Sequence, residues 1–410
     1  MRQSSRAARY RPIVQRAVAL LLAPRPADIL VRCASGAHRV RLARGRFWAS
    51  ARCRACGARV DPTRIRRLAT WIAGAFRPPA RSGRALWTWT AAVGCVALAL
   101  TAAACVWLLS DRWWPATTLL FGPRWVLLLA PAAVVPAALA WDRRAVVPLA
   151  LAAAVLAGPV VGLRTGWRRL LVSPDPARDL RVMSFNVDGG STLRMPLEEM
   201  LRAWRVDLAA FQECGGRLQE EVAALTAWHA DVTGSLCLVS RLPIGGASGM
   251  EREGLAAAGG SGLVETHVVD DGGRLVQLTN LHLETPRAGF EQIRAGRLAE
   301  GVPKLEEKSY LREIELRRAR RWVDQLPPPR IVVGDFNSPP ESPIFRAAWA
   351  GWQNAFSLTG VGLGGTRLNG WIRARIDHIL LDGRWTVVRS WLGPDVGSDH
   401  RPILAEVRLR

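Results

Sequence analysis

The chain has 410 residues, 49% hydrophobic and 22% charged, which excludes an unstructured chain and leaves room for two or three structural units. Its formal charge is +22, of which residues 1–84 carry +18, while 85–163 and 164–410 carry +2 each. Lysine occurs only at Lys304 and Lys308, outside any GxxxxGK pattern, so a P-loop nucleotide hydrolase is excluded, and seven cysteines are too few for a disulfide scaffold.

Residues 1–84 form a basic segment with 20 arginines against Asp28 and Asp61. Ala17–Ala23 is a short apolar run followed by Arg25 and Pro26, without a small-residue cleavage site. It reads as an amphipathic or unstructured start rather than a secretory signal. Cys33, His38, Cys53 and Cys56 follow, the last two in a Cys-Arg-Ala-Cys-Gly turn that lets two thiolates meet one metal. With a hairpin expected at Arg39–Trp48, residues 29–62 resemble a zinc ribbon with a Cys3His set for Zn²⁺. Half a knuckle without metal is the alternative, because Cys33-x4-His38 departs from the usual spacing. Thiolate ligands require a reducing compartment.

Residues 85–163 are expected to hold three transmembrane helices, at 86–109, 116–141 and 145–163. The first is uncharged from Leu86 to Leu109, enough to cross a core of about 30 Å at 1.5 Å per residue. The second contains Pro131 and Pro136 and reaches back to 116 only if Arg124 snorkels or faces a neighbour. Tryptophans at 87, 89, 107, 113, 114, 125, 141 and 167 cluster at the ends of these runs, where indoles sit at a bilayer interface. Arg64, Arg66, Arg67, Arg77, Arg81 and Arg84 before the first run place the N-terminus in the cytoplasm. Three spans then place the rest of the chain outside, although Arg164, Arg168 and Arg169 pull weakly the other way.

Residues 164–178 read as a linker and 179–410 as one α/β domain. Strands are expected at Arg181–Val187, Asp207–Glu213, Leu236–Ser240, Leu263–Val269, Leu275–Leu283, Ile331–Gly334, Ile376–Leu381, Thr386–Trp391 and Ile403–Val407. Helices are expected at Met195–Trp204 and Ser309–Gln325. That element count predicts two packed sheets with helices.

Six polar clusters sit at the ends of these strands: Phe185-Asn186, Phe211-Gln212-Glu213, Asn280-Leu281-His282-Leu283, Gly334-Asp335-Phe336-Asn337, Ile376-Asp377-His378 and Ser398-Asp399-His400. Strand ends can aim side chains into one mouth. Carboxylates and amides without clustered His or Cys suit Mg²⁺ or Mn²⁺ better than Zn²⁺. Imidazoles beside such an ion can stabilise or protonate phosphoryl oxygens. His378 is expected to pack beside Asp377, and His229 and His267 to lie on the surface. Gly360-x-Gly362-x-x-Gly365 matches a dinucleotide fingerprint only formally and reads as a mobile loop. A disulfide between Cys214 and Cys237 is compatible with an outside location, but nothing in the sequence requires it.

The blocks MSFNV, FQE, NLHL, GDFNSP, RIDHIL and SDHRP, in this order, resemble the endonuclease/exonuclease/phosphatase superfamily of metal-dependent phosphoesterases, which includes deoxyribonuclease I and neutral sphingomyelinase. The resemblance implies a four-layer α/β sandwich over 179–410. It implies that Glu213 is the principal metal ligand with Asn186 beside it, and that Asp399 is a second metal-site ligand. It also implies that Asp335 orients or deprotonates the attacking water and Asn337 holds a non-bridging oxygen. His400 contacts the scissile phosphate, Asp377 orients His400, and His282 matches the second histidine of the nuclease and sphingomyelinase branches. Apurinic-type endonucleases carry a Tyr there. Arg287, four residues beyond Leu283, is the best placed residue for a second phosphate contact.

Three functions compete. A near-neutral catalytic domain behind three spans resembles the glycopeptide-resistance membrane proteins of the superfamily and favours a lipid-linked phosphate delivered by membrane lipids. An extracytoplasmic deoxyribonuclease I-like endonuclease is the second reading, with no electrostatic support from a +2 domain. The third is an interaction protein whose basic N-terminus binds anionic lipid, nucleic acid or a partner, with a degenerate phosphoesterase domain. The complete catalytic set argues against degeneracy.

Overall fold

In a computed structural model the described residues are 29–32, 39–42, 70–79, 83–369 and 372–410. Chain contacts divide it into two units, Met1–Pro79 and Ala80–Arg410. In the first, Ile29–Arg32 pairs antiparallel with Arg39–Leu42. Of the hairpin expected at Arg39–Trp48, only Arg39–Leu42 lies among the described residues, and it pairs with Ile29–Arg32; residues 43–48 lie outside them. Cys33, His38, Cys53 and Cys56 lie outside the described residues.

The second unit begins with three helices long and apolar enough to cross a membrane: Arg84–Leu109, Arg124–Trp141 and Arg143–Val160. Small residues make their contacts. Ala92, Cys95, Ala99, Ala102 and Val106 recur at three and four along the first helix and are buried against Ala138, Leu149, Ala152 and Leu156. Such a stripe lets helix backbones approach closely. The segment expected at 116–141 is divided. Trp114–Phe121 is a separate short helix, and Gly122 and Pro123 interrupt the chain before Arg124. Pro123 has no N–H to continue the helical ladder, and a Cβ on Gly122 would stand 2.8 Å from the Thr118 carbonyl oxygen.

From Asp179 the chain forms two six-stranded mixed sheets. One runs, in spatial order, Trp385–Leu392, Ile403–Leu409, Asp179–Asn186, Leu208–Gln212, Leu236–Ser240, His229–Thr233. The other runs Gln353–Asn354, Asp377–Leu381, Arg330–Asp335, Arg274–His282, Leu263–Asp271, Ile244–Gly249. Side chains alternate across each strand. Val182, Leu208, Ile403, Leu278, Ile331 and Val333 fill the space between the sheets. Met183, Phe185 and Phe211 turn the other way, onto the helices Leu197–Ala203 and Arg217–Ala223. Leu281, Val332 and Leu380 turn onto Leu298–Asp324 and Pro343–Ala348. Helices, sheet, sheet and helices therefore succeed one another.

Two details differ from the sequence reading. His267 is 2% exposed rather than on the surface, because the edge strand brings Asp231 within 2.9 Å of its Nε2; His229 is exposed. The Gly360–Gly365 segment is held in place. Val361 and Gly362 pair with Thr165 and Arg164, which ties it to the expected linker.

The apolar helices are joined to the sandwich by buried polar contacts. Asp111, just past the first helix, pairs with Arg312 at 2.7 Å, both side chains fully buried, and accepts a 2.6 Å bond from the Ser342 hydroxyl. Arg124 donates to the Val160 carbonyl and to Glu341. The Arg346 guanidinium stacks 4.4 Å from the centre of the Trp107 ring.

Candidate active site

Strand register places the chemistry. His282 neighbours Asp335 in a parallel pair, and Asp335 neighbours Asp377 in an antiparallel pair, so three functional residues form one row across three strands. On the facing sheet Asn186 neighbours Gln212, and Glu213 follows. The two sheets are tied at this end by Gln212 Nε2 donating to Asn280 Oδ1 at 2.7 Å, and by Asn280 Nδ2 donating to the Phe211 carbonyl.

Close backbone approach requires glycine at two places. Gly334 has φ 144°, and a Cβ there would lie 1.9 Å from the Leu281 carbonyl oxygen. Gly397 has φ 111°, with the Thr192 carbonyl oxygen 2.1 Å from a Cβ. Glu213 (φ 51°) and Asn337 (φ 47°) also adopt left-handed backbone. Asparagine tolerates this and glutamate does so at a cost, a pattern found where a site fixes a side chain.

Asn186 is fully buried and bridges two carboxylates. Its Nδ2 donates to Glu213 Oε1 at 2.9 Å and to Asp335 Oδ2 at 3.2 Å. His282 Nε2 stands 3.7 Å from Glu213 Oε1 and 3.8 Å from Asp335 Oδ2. The Asn337 amide N–H donates to Asp335 Oδ1 at 2.8 Å, while its side-chain Nδ2 is bonded to the Leu283 carbonyl. His400 Nδ1 meets Asp377 Oδ2 at 2.8 Å, and its Nε2 faces Asp335 Oδ2 at 3.7 Å. All three are buried.

Burial pushes the His400 pKa down, but the Asp377 charge and hydrogen bond, with Asp335 beyond, outweigh it and raise it to about 9. The ring is therefore cationic at neutral pH. Burial pushes the Asp377 carboxyl up, yet the His400 charge and hydrogen bond hold it below its ordinary value. Burial and the Asp377 charge raise Asp335 above its ordinary value. Two carboxyl groups on neighbouring strands thus take opposite shifts, as befits one that stays charged and one poised to take a proton. His378 packs against Phe336 and Phe345, with Nε2 2.9 Å from the Ser338 carbonyl oxygen.

The side chains fit a divalent cation. Glu213, Asp335, Asp377 and Asp399 outnumber the cations facing them, His400 and Arg367, and Asp335, raised first by burial and then by the Asp377 charge, is a carboxyl that a cation would hold in its charged form. Asp335, Asp377 and His400 could together hold an ion by proximity alone. However, the hydrogen bond between Asp377 and His400 already occupies that pair, which leaves Glu213 and Asp335 as the better carboxylates; Asn186 shows them its Nδ2 while its Oδ1 accepts from the Asp188 N–H, so it would ligate only with its amide turned over. Asp399 lies toward the rim and pairs with Arg367. Arg287 is exposed and paired with Glu291 at 2.9 Å.

Sequence reasoning missed Arg367, Thr366 and Ser398. Arg367 Nη1 lies 2.8 Å from His400 Nε2, a contact that only a neutral imidazole accepts. In the cationic state Arg367 must turn to Asp399 or to an incoming anion. Thr366 Oγ1 accepts from the N–H groups of Ile376 and Asp377. Ser398 Oγ donates to the Asn186 carbonyl and accepts from the His400 N–H, which fixes the two sheets' contributions to one another. The serine stood in view in the SDH block. Arg367 carried no signal among 54 arginines.

Two stacked mixed sheets that aim carboxylates, amides and an imidazole–carboxylate pair from adjoining strand ends define a mixed α/β domain with one polar mouth. The endonuclease/exonuclease/phosphatase family model matches residues 183–400, and the chain belongs to that family. No curated protein matches the sequence. Among solved structures, an endonuclease/exonuclease/phosphatase from Beutenbergia cavernae DSM 12333 is similar at 19% identity over 57% of this chain and 72% of that one (TM-score 0.41). D. rerio TDP2 complexed with single-strand DNA product is 17% identical over 56% and 99% (TM-score 0.43). The human Nocturnin catalytic domain with bound sulfate is 16% identical over 60% and 100% (TM-score 0.40).

Proposed function

We propose that this protein is a membrane-bound, Mg²⁺- or Mn²⁺-dependent phosphoester hydrolase acting on a lipid-linked phosphate, with its catalytic domain outside the cytoplasm. The observation that carries the chemistry is the buried Asp377–His400 pair facing Asp335 at 3.7 Å. Asp335 Oδ2 takes a proton from the attacking water as its oxygen bonds to phosphorus. The bond from phosphorus to the leaving oxygen breaks as this forms. His400, kept cationic by Asp377, donates from Nε2 to a phosphoryl oxygen and stabilises the charge that develops there. Asn186 holds Glu213 and Asp335 in register, and Arg367 is released from Nε2 to meet the anion. A cation held by Glu213, with Asn186 turned to offer its Oδ1, would neutralise phosphoryl charge and leave Asp335 Oδ2 free as the base. Asp399 would join at the rim, and Arg287 would meet a second phosphate.

The membrane reading is supported by apolar side chains that the helices leave exposed, among them Leu100 at 56% and Leu129 at 60%. Alternation of three spans puts the basic residues 1–84 opposite the catalytic domain, where the anionic inner leaflet offers them a partner. The Cys214–Cys237 disulfide supports an oxidising location for the domain. A net charge of +2 over 164–410 supports a substrate delivered by the membrane rather than nucleic acid.

The test is to purify the full chain in detergent with Mg²⁺ and compare hydrolysis of a polyprenyl pyrophosphate with nicking of plasmid DNA, using His400→Ala as the blank. Lipid pyrophosphate cleavage that the variant loses is expected. Nicking that the variant loses, without lipid cleavage, would move the protein to the nucleases.

A further inference from the structure

Where the apolar helices meet the sandwich there is a cavity of about 400 Å³, lined by Arg124, Trp125, Glu341, Leu363, Arg373 and Arg375 among others. None of its lining residues belongs to the catalytic cluster. It has the size of a small-ligand site, and its charge is unbalanced. Glu341 is 2% exposed and is the acidic residue of the lining. Three guanidinium groups surround it. Arg124 Nη1 is 3.1 Å from Oε2, while Arg164 and Arg375 each come no closer than 3.7 Å to Oε1. Arg373, exposed at the rim, adds a further positive charge.

Arg375 is the telling residue. It is 3% exposed, yet neither Nη1 nor Nη2 has a hydrogen-bond partner among the described residues, and Arg164 Nε and Glu341 Oε1 have none either. A buried guanidinium is ordinarily saturated, and leaving its donors unused is costly. Burial holds its pKa down to about 10 despite Glu341. A phosphate group offers several acceptor oxygens and suits the planar fork of arginine.

We propose that this junction is a second anion site that binds a phosphate group through Arg375, Arg124 and Arg373, which line the cavity, with Arg164 behind Glu341 adding to the positive field, separately from the catalytic centre. The group can come from a phospholipid headgroup or from free phosphate. The surroundings favour the lipid. Trp125 and Leu363 at the cavity are partly exposed, and Trp113, Leu163, Trp167, Leu170 and Leu171 nearby in the chain are 45% to 80% exposed. Tryptophan and leucine displayed at the ends of membrane-length helices mark the headgroup level. The preference for a lipid rests on the membrane reading above; the anion site does not. A lipid seated there would join the helices to the catalytic domain, because Arg124 begins the second long helix while Arg375 directly precedes Ile376 and Asp377.

The test is thermal unfolding of the full chain in maltoside micelles with dioleoyl phosphatidic acid, with dioleoyl phosphatidylcholine, or with inorganic phosphate. It is run on the wild type, Arg373→Gln, Arg375→Gln and His400→Ala. Near-saturating phosphatidic acid should raise Tm by about 5 °C in the wild type and in His400→Ala. The rise should shrink in Arg373→Gln and vanish in Arg375→Gln. If Arg375→Gln does not fold, the rim variant Arg373→Gln decides. An equal rise with inorganic phosphate keeps the site and assigns it to the soluble anion. No rise with either anion, an equal rise with phosphatidylcholine, or a full rise in Arg373→Gln would overturn the proposal. A rise lost only in His400→Ala would also overturn it, by locating the lipid at the catalytic centre and leaving the hydrolase reading intact.

Discussion

The catalytic mouth and the helix junction are both buried polar clusters, and short stretches of the same chain build them. Asp335 and Asn337 serve one and Glu341 the other; Asp377 serves one and Arg375 the other. Their charge is opposite in sign. The mouth holds more carboxylates than cations, and the junction holds one carboxylate among several arginines. Burial raises the cost of any unbalanced charge. Each cluster is therefore expected to be completed by a ligand of the opposite sign, a divalent cation in one and an anion in the other.

The sharpest way to break the comparison is at the catalytic pair. His400→Ala and Asp335→Ala should each lower turnover by about 10² to 10⁴-fold, as loss of a positioned proton-transfer group does. Both should leave the rise in Tm that phosphatidic acid produces at the junction unchanged, although His400→Ala lowers the starting Tm by leaving Asp377 buried without its partner. Steady-state rates on the full chain check this, and near-wild-type rates in either variant would end the assignment.

A second contrast lies in the struts that hold the junction. Arg312→Ala leaves Asp111 buried without its partner and should cost about 3–5 kcal/mol. Replacing both, as Asp111→Leu with Arg312→Met, should recover much of that, which denaturant unfolding would show. Equal losses in the single and double variants would mean that packing, not charge, holds the contact. The Cys214–Cys237 bond closes a loop across 23 residues of sequence. Its removal by Cys237→Ser should cost about 3 kcal/mol, read as the change in denaturant midpoint.

His378 sharpens the contrast through pH. Burial lowers its pKa from 6.5 to about 4, so the folded chain stays neutral where the unfolded chain binds a proton. Stability should thus be unaffected above pH about 6.5 and fall as pH drops toward 4, by up to about 3 kcal/mol. His378→Gln should flatten that part of the profile, and an unchanged acid slope would contradict the shift. The smallest effect should come from the surface. Arg202→Ala breaks an exposed pair with Glu198 on one helix face and should cost about 0.5 kcal/mol or less.

Much of this could be read along the chain. The nine expected strands between Arg181 and Val407 are local patterns of alternating or continuous apolar residues, and structure displaced their ends by a few residues at most, whereas the strands His229–Thr233, Ile244–Gly249 and Gln353–Asn354, short or exposed and without such a pattern, are not among those expected. The site residues Asn186, Glu213, His282, Asp335, Asn337, Asp377 and His400 are legible because each sits at a strand end in a compact block. Helices were harder. Leu298–Asp324 extends eleven residues before the expected start at Ser309, since its early turns pack on Arg287–Arg294, a contact that no local period reveals. Arg217–Ala223 and Pro343–Ala348 are too short to show a period at all.

What the sequence determined by itself is therefore the set of groups and the strand ends that carry them, because burial pattern and motif spacing are local quantities. Tertiary structure alone decided which charges face one another. Arg367 reaches His400, Asp111 meets Arg312 across 201 residues, and Glu341 gathers Arg124 from the start of the second long helix and Arg164 from just past the third. Electrostatic partnership depends on distance and burial in space, and one arginine among many looks like any other until the fold closes around it.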